Sequence, residues 1–166
     1  MLVEQYTTIE VNTDEYKNGE FFKKNNIFAA CKFTSTGDSG SFELIVFIFR
    51  SKKSKYPNDY TLGFGKWNVD TSEVDDLFET RNRDVERILA TVAQVAVNFL
   101  KRRPMAGIYA QGSTAARTRL YQKGISQNLG IVPPSLRIEG LVVKDNFGWA
   151  DFKKGINYDA FLLPAK

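Results

Sequence analysis

Apolar positions along the chain fall into strand-like and helix-like stretches. "IFAACKFTS" (27–35) sets Ile27, Ala29, Cys31 and Phe33 on one side at the two-residue period of a strand. "SFELIVFIFR" (41–50) is almost continuous in β-branched and aromatic residues, the pattern of a central strand covered on both faces. Between them "TGDSG" supplies residues that accept the backbone angles of a tight turn. "DYTLGFGKWN" (59–68) reads as a third strand, weakened by Gly63 and Gly65. The three predict an antiparallel meander.

The pattern then changes period. Val85, Ile88, Leu89, Val92, Val95, Ala96, Phe99 and Leu100 recur at helical spacing and predict a helix from about Arg83 to Arg103. Asn82 is the expected N-cap, Asp84 and Glu86 suit the first turn, Lys101, Arg102 and Arg103 suit the last, and Pro104 forbids continuation. "MAGIYA" (105–110) predicts a short buried strand. A second helix is expected from Thr114 to about Lys123, capped by Ser113, with Gly124 in the left-handed position after its end. A Pro-marked loop leads to a strand over Leu136–Val143. The region around Gly148 and Gly155 reads as a loop, and a last strand covers Tyr158–Leu163.

The order is β-β-β-α-β-α-β with room for that final strand. It predicts an α+β domain over residues 27–166, with a mainly antiparallel sheet and two helices packed on it. Residues 1–26 are polar and predict an arm, or an edge strand near Tyr6–Val11. The same order occurs in the ribonuclease H-like fold, an alternative by analogy. Those enzymes hold metal ions with carboxylates on the first strand, the first helix and the end of the fourth strand. Neither "IFAACKFTS" nor "GIYAQG" carries a carboxylate, so that active site would be missing.

Composition sharpens this picture by exclusion. A chain of 166 residues suits one domain, and 13 Phe against 2 Met predict a core of rigid rings. Cys31 is the only cysteine, so no disulfide forms within the chain, which suits a reducing compartment. No apolar run reaches the ~20 residues of a membrane span, and the first residues lack a secretory pattern. A cytoplasmic protein with no membrane contact is expected. There is no histidine. That removes Ser-His-Asp and Cys-His nucleophiles, a histidine general base and Cys/His zinc sites. No metal and no cofactor is expected, and any activity should survive chelation.

Candidate chemistry lies in the basic residues. The net charge of +4 is unevenly placed: Arg50, Lys52, Lys53 and Lys55 cluster, while acids gather over Asp70–Glu79. "GIYAQGSTAARTRLYQKGI" (107–125) carries a strand, a tight turn and a helix start. Such a start presents unpaired N–H groups and partial positive charge, which anions favour. Gly112 permits close approach, Ser113 and Thr114 add hydroxyls, and Arg117 and Tyr121 continue the face of Thr114. These five form the candidate anion site. Arg119 points elsewhere. The competing reading makes Ser113 a simple cap and pairs Arg117 and Arg119 with acids such as Glu139 or Asp151. The spacing fits neither a Walker A loop nor a dinucleotide fingerprint. For nucleic acid, Lys52, Lys53, Lys55 and Arg119 could meet phosphates, and Phe64 and Trp67 could stack on bases or belong to the core. Tyr109, Tyr121, Tyr158, Glu43 and Glu139 could move protons, but no spacing pairs them, so no catalytic role is assigned.

"YAQGSTAARTRLYQKGIS", with "YTLGFGKWN", "DVERILATVAQVAVNFL" and "INYDAFLL", resembles a family of small bacterial proteins, mostly from Bacteroidetes, known only as a domain of unknown function. The resemblance runs from about Cys31 to Leu163. Its most specific residues are Gly112, Ser113, Thr114, Ala116, Arg117, Thr118, Arg119, Leu120 and Tyr121. It implies a bacterial cytoplasmic protein and no mechanism, and residues 1–26 are where this chain is expected to depart from the family. Three functions stand: a module binding nucleic acid, phosphate or another polyanion through 107–125; a histidine-free nuclease or toxin-like enzyme; and a protein-interaction domain or homodimer, for example half of a two-gene system.

Overall fold

The computed structural model describes residues 4–16, 19, 20, 23, 25–51 and 58–164. Lys52, Lys53 and Lys55 lie outside the described residues. The strands are β1 (Ile9–Glu10), β2 (Asn25–Gly37), β3 (Gly40–Ser51), β4 (Asp59–Asn68), β5 (Glu73–Asp75), β6 (Gly107–Ala110), β7 (Glu139–Val142), β8 (Gly148–Asp151) and β9 (Ala160–Leu163). The helices are α1 (Val85–Arg102) and α2 (Ala115–Gln127). One mixed, mainly antiparallel sheet runs β1-β2-β3-β4-β6-β9-β7-β8, with β5 on β4. The fold is α+β, as the periodicities predict. The likeness to the ribonuclease H-like fold is one of element order and not of strand order, because β6 joins β4, the last strand of the meander.

The meander forms where the alternation places it. β2 and β3 pair from Asn25↔Ser51 to Gly37↔Gly40, leaving Asp38 and Ser39 as the turn. Gly40 has φ +121°, which only glycine adopts without strain. β3 is buried on both faces. Leu44, Val46 and Ile48 join Phe33, Phe64 and the α1 residues Ile88, Leu89, Val92, Phe99 and Leu100. Ile45, Phe47 and Phe49 pack with Tyr16 on the other face. Tyr16 belongs to the polar N-terminal region, where it sits edge-on to Phe47 and Trp67. That region therefore covers the second face of the meander, while β1 supplies its edge.

β4 divides its outer edge. Residues 59–61 pair with β6 in parallel and 66–68 pair with β5. The strand pairings leave residues 62–65 between them. Gly65 marks a close approach, since a Cβ there would lie 2.5 Å from the Asp75 carbonyl of β5. Gly63 marks none; its nearest neighbour is a Phe49 ring carbon at 3.9 Å. β5 was not expected: three residues inside an acidic run carry no strand signal. β8 replaces the loop expected around Gly148, pairing with β7 through Leu141↔Trp149.

Both helix starts differ from expectation. Asp84, not Asn82, occupies the N-cap of α1, and no side-chain bond caps it. Asn82 instead faces the β2–β3 turn: its Oδ1 accepts from Ser39 N–H (2.8 Å) and its Nδ2 donates to Gly40 O (2.9 Å) and Ser35 Oγ (3.0 Å). Thr114, not Ser113, caps α2, its hydroxyl accepting from Arg117 N–H at 3.1 Å. Thr114→Ala is therefore expected to cost about 1 kcal/mol, and Ser113→Ala less than about 0.5 kcal/mol, in urea melts. Equal losses would reverse the assignment. α2 also continues through Gly124 to Gln127. Gly124 is not a terminator but the contact with α1: a Cβ there would sit 3.3 Å from Leu89 Cβ, so the missing side chain lets the helices approach.

Candidate functional site

The turn into α2 is built from its own atoms. A Cβ on Gly112 would overlap Arg117 Cβ and Thr118 N, so glycine is required by the helix folding back onto the strand. Gly112 N–H donates to Thr118 Oγ1 (3.1 Å), and Thr118 N–H donates to Thr114 O (3.0 Å). Part of the N–H supply expected for an anion is thus used internally. Ser113 and Thr114 are exposed at the helix start.

Arg117 turns from that start toward the sheet. Its guanidinium lies 4.6 Å from the centre of the Phe64 ring and 5.9 Å from that of Tyr121. Its Nη2 donates to Phe64 O at 3.3 Å. That carbonyl belongs to the stretch of β4 between β5 and β6, so Arg117 occupies a gap in the sheet edge. Its Nε is buried and has no hydrogen-bond partner. Among the described residues, neither Glu139 nor Asp151 pairs with it; both pair with Arg137. Burial pushes the Tyr121 hydroxyl above its ordinary range, against the opposing field of Arg117, while Asp76 adds a smaller upward push.

Arg119 serves a different contact. Its Nη1 donates to Gln122 Oε1 at 2.6 Å, and Gln122 also accepts from Tyr158 N–H (3.1 Å) and donates to Ile156 O. It ties α2 to the segment before β9. Phe64 is 5% exposed beneath Arg117, whereas Trp67 packs on Tyr16 across the sheet. The two rings do not form one stacking platform.

Arg117 and Thr114 instead share a groove of about 540 Å³ with residues from the loop before α1. The groove lies between the N-terminal ends of both helices, over Leu44, Phe64 and Gly65 of the sheet. Arg81 and Arg83 line it, as does Glu79. Both arginines have positive φ, +57° and +58°, a conformation that costs non-glycine residues about 1–3 kcal/mol. The surrounding hydrogen bonds hold them there. Ser39 Oγ donates to Arg81 O (2.9 Å), Asn82 grips the β2–β3 turn, and Asp84 anchors the other side. Asp84 accepts from Tyr6 Oη (2.6 Å), Thr80 Oγ1 (2.7 Å) and Ser35 Oγ. Burial alone would raise the Asp84 carboxyl, but those hydroxyls overcome it and hold the group below its ordinary range. Val85, the first residue of the helical apolar stripe, lines the groove and is 43% exposed to solvent, and Leu77, which also lines it, is 57% exposed. No sequence signal marks Arg81 and Arg83, because their conformation is imposed by a turn more than forty residues away.

No acid–base pair emerges elsewhere among the candidate proton carriers. Glu43 pairs with Lys32 (2.8 Å), Tyr109 donates to Gln111, and Tyr158 Oη accepts from Lys153 N–H. Burial pushes the Cys31 thiol up to about 11, with a smaller contribution from Glu10, so it stays protonated at neutral pH. Among the described residues no three Asp, Glu or Cys side chains gather as a metal site, and no helix is long and apolar enough to cross a membrane.

No curated protein and no solved structure matches the chain. One family model does, and its match begins at residue 12, so residues 12–26 are part of the shared domain and not an addition of this chain. This agrees with Tyr16 completing the second face of the meander. Matching over residues 12–166, the chain belongs to the family of unknown function DUF6934.

Proposed function

We propose that this domain is a binding module for an anionic ligand, a phosphate or polyanion, seated in the groove between the starts of α1 and α2. One observation carries the reading: Arg81, Arg83 and Arg117 line a single groove, and among the described residues none has a carboxylate within ion-pair distance. Arg87, Arg102 and Arg137 are ion-paired, whereas Arg119 bonds Gln122 and Arg103 lies over the Phe28 and Phe99 rings, so what sets Arg81, Arg83 and Arg117 apart is that they line one groove. Arg81 and Arg83 are exposed, while the Arg117 guanidinium is partly withdrawn from water and its buried Nε has no partner, a cost that an anion would offset. The strained loop agrees, since backbone strain is retained where it positions groups for a ligand. A bacterial cytoplasmic setting belongs to the same reading, on the family likeness. No observation favours a nuclease.

The strain supplies a test that separates binding from folding. Arg81→Gly and Arg83→Gly relieve a left-handed residue, so each variant is expected to melt at or slightly above the wild-type temperature. Each should also weaken anion binding about tenfold or more, through loss of a charge-assisted contact. Thermal shift and isothermal titration with pyrophosphate, a nucleoside monophosphate, an alkyl phosphate and a short oligonucleotide, at about 50 and about 200 mM salt, read both quantities. Absence of arginine-dependent binding by every anion would overturn the reading.

A further inference from the structure

Resting on that anion-binding reading, we infer that the groove takes a soluble aliphatic anion, a hydrocarbon body with one charged head, and not a nucleotide. The body is indicated by what faces it. Leu44, Leu77, Val85, Ile88, Leu89 and Leu120 line the groove, and Leu77 and Val85 among them are 57% and 43% exposed to solvent. Apolar side chains left open in a concave site bind apolar matter.

A nucleobase would need a ring face to stack on and polar groups to read its edge. Both aromatic rings of the groove are engaged. The guanidinium of Arg117 covers Phe64, and Phe78 meets Phe42 edge-on at 5.1 Å with Lys66 over its ring at 5.2 Å. The Thr80 hydroxyl is engaged, donating to Asp84, whereas Thr114 Oγ1 accepts from Arg117 N–H and keeps its own proton to donate. What remains is that one hydroxyl and the cationic groups of Arg81, Arg83 and Arg117, a set that suits an anionic head. Glu79 also lines the groove and disfavours a second charge on the body. The groove is recessed between two helices and the sheet, which suits a free molecule, in contrast to a flat surface resting on a bilayer.

A chain-length series tests this on the whole protein. Butyl, hexyl and octyl phosphate, each below its micelle concentration, are titrated calorimetrically beside methyl phosphate and a nucleoside monophosphate. Affinity should rise roughly three- to fourfold per added methylene until the groove is filled. Octyl phosphate should exceed the nucleotide by more than tenfold. Leu77→Glu should abolish the dependence on length while leaving the melting temperature within a few degrees of wild type, because Leu77 is exposed. Vesicles of anionic phospholipid should not bind. Arginine-dependent binding of the nucleotide as tight as octyl phosphate would overturn this inference and leave the anion-binding reading standing. Binding to vesicles without a length series in solution would also overturn it. Failure of every phosphate to bind would remove both.

Discussion

Replacing Asp84 with alanine is expected to destabilise the domain by about 3 kcal/mol, lowering its melting temperature by about 6–12 °C. The carboxylate accepts hydroxyl protons from Ser35, Tyr6 and Thr80, which come from three separate parts of the chain. Ser35 is fully buried and Thr80 is 7% exposed, so water cannot readily replace the lost acceptor. Stranded buried hydroxyls cost about 1–3 kcal/mol each, and partial relaxation keeps the total below their sum. Asp84→Asn retains one acceptor oxygen and should lose less. Thermal and urea melts measure both; a shift under about 2 °C for Asp84→Ala would show that the hydroxyls find other partners.

The same residue sets an acid limit. Its folded-state carboxyl lies below the ordinary value of 3.8. The ionised form is therefore the one folding favours. Its contribution is fully present above that value and is lost as the pH falls through the lower, folded-state one. As the pH falls below about 4, wild type should lose stability more steeply than Asp84→Asn, which has no carboxylate to protonate. Because Asp84 holds one end of the Arg81–Arg83 loop, Asp84→Ala should also weaken anion binding even where the protein remains folded.

Gly140→Val should be comparably damaging, at about 3 kcal/mol. Gly140 lies in β7 opposite Phe161 on one side and Ala150 on the other. A Cβ there would overlap the ring of Tyr158, which is 2% exposed. Tyr158 cannot yield freely, because its hydroxyl accepts from Lys153 N–H and its own N–H reaches Gln122 on α2. Overpacking would thus push on the sheet and on α2 together. Gly63→Ala is the control: that glycine also lies within a strand, its Cβ would meet only an ordinary contact, and the change should stay within about 1 kcal/mol. Melts that rank the two variants equally would remove Tyr158 as the cause.

The meander, both helices and the two-faced burial of β3 follow from periodicity, because residues at spacings of two or of three and four must share a face whatever surrounds them. The strand over Asp59–Asn68 has the bounds its pattern predicts. Other features depended on partners far along the chain. Asn82 has the chemistry of an N-cap, but the β2–β3 turn offered its side chain better hydrogen bonds, and the cap fell to Asp84. Gly124 looks like a helix stop and proves to be a helix–helix contact, a distinction that rests on how closely Leu89 of α1 approaches it. Arg117 was legible as a residue at a helix start, but not as the group occupying the edge of β4, because strand order is set by nonlocal pairing. Arg81 and Arg83 were invisible as site residues for the same reason: a left-handed arginine is unfavourable locally and persists only where distant hydrogen bonds fix it. The sequence by itself determined the three strands of the meander and the existence of both helices, though not β5 or β8, and which nucleophile and metal chemistries a histidine-free chain lacks. Only the tertiary structure decided which arginines share a groove, since local propensity acts over a turn or two, whereas a groove is assembled from segments that meet only once the helices have packed on the sheet.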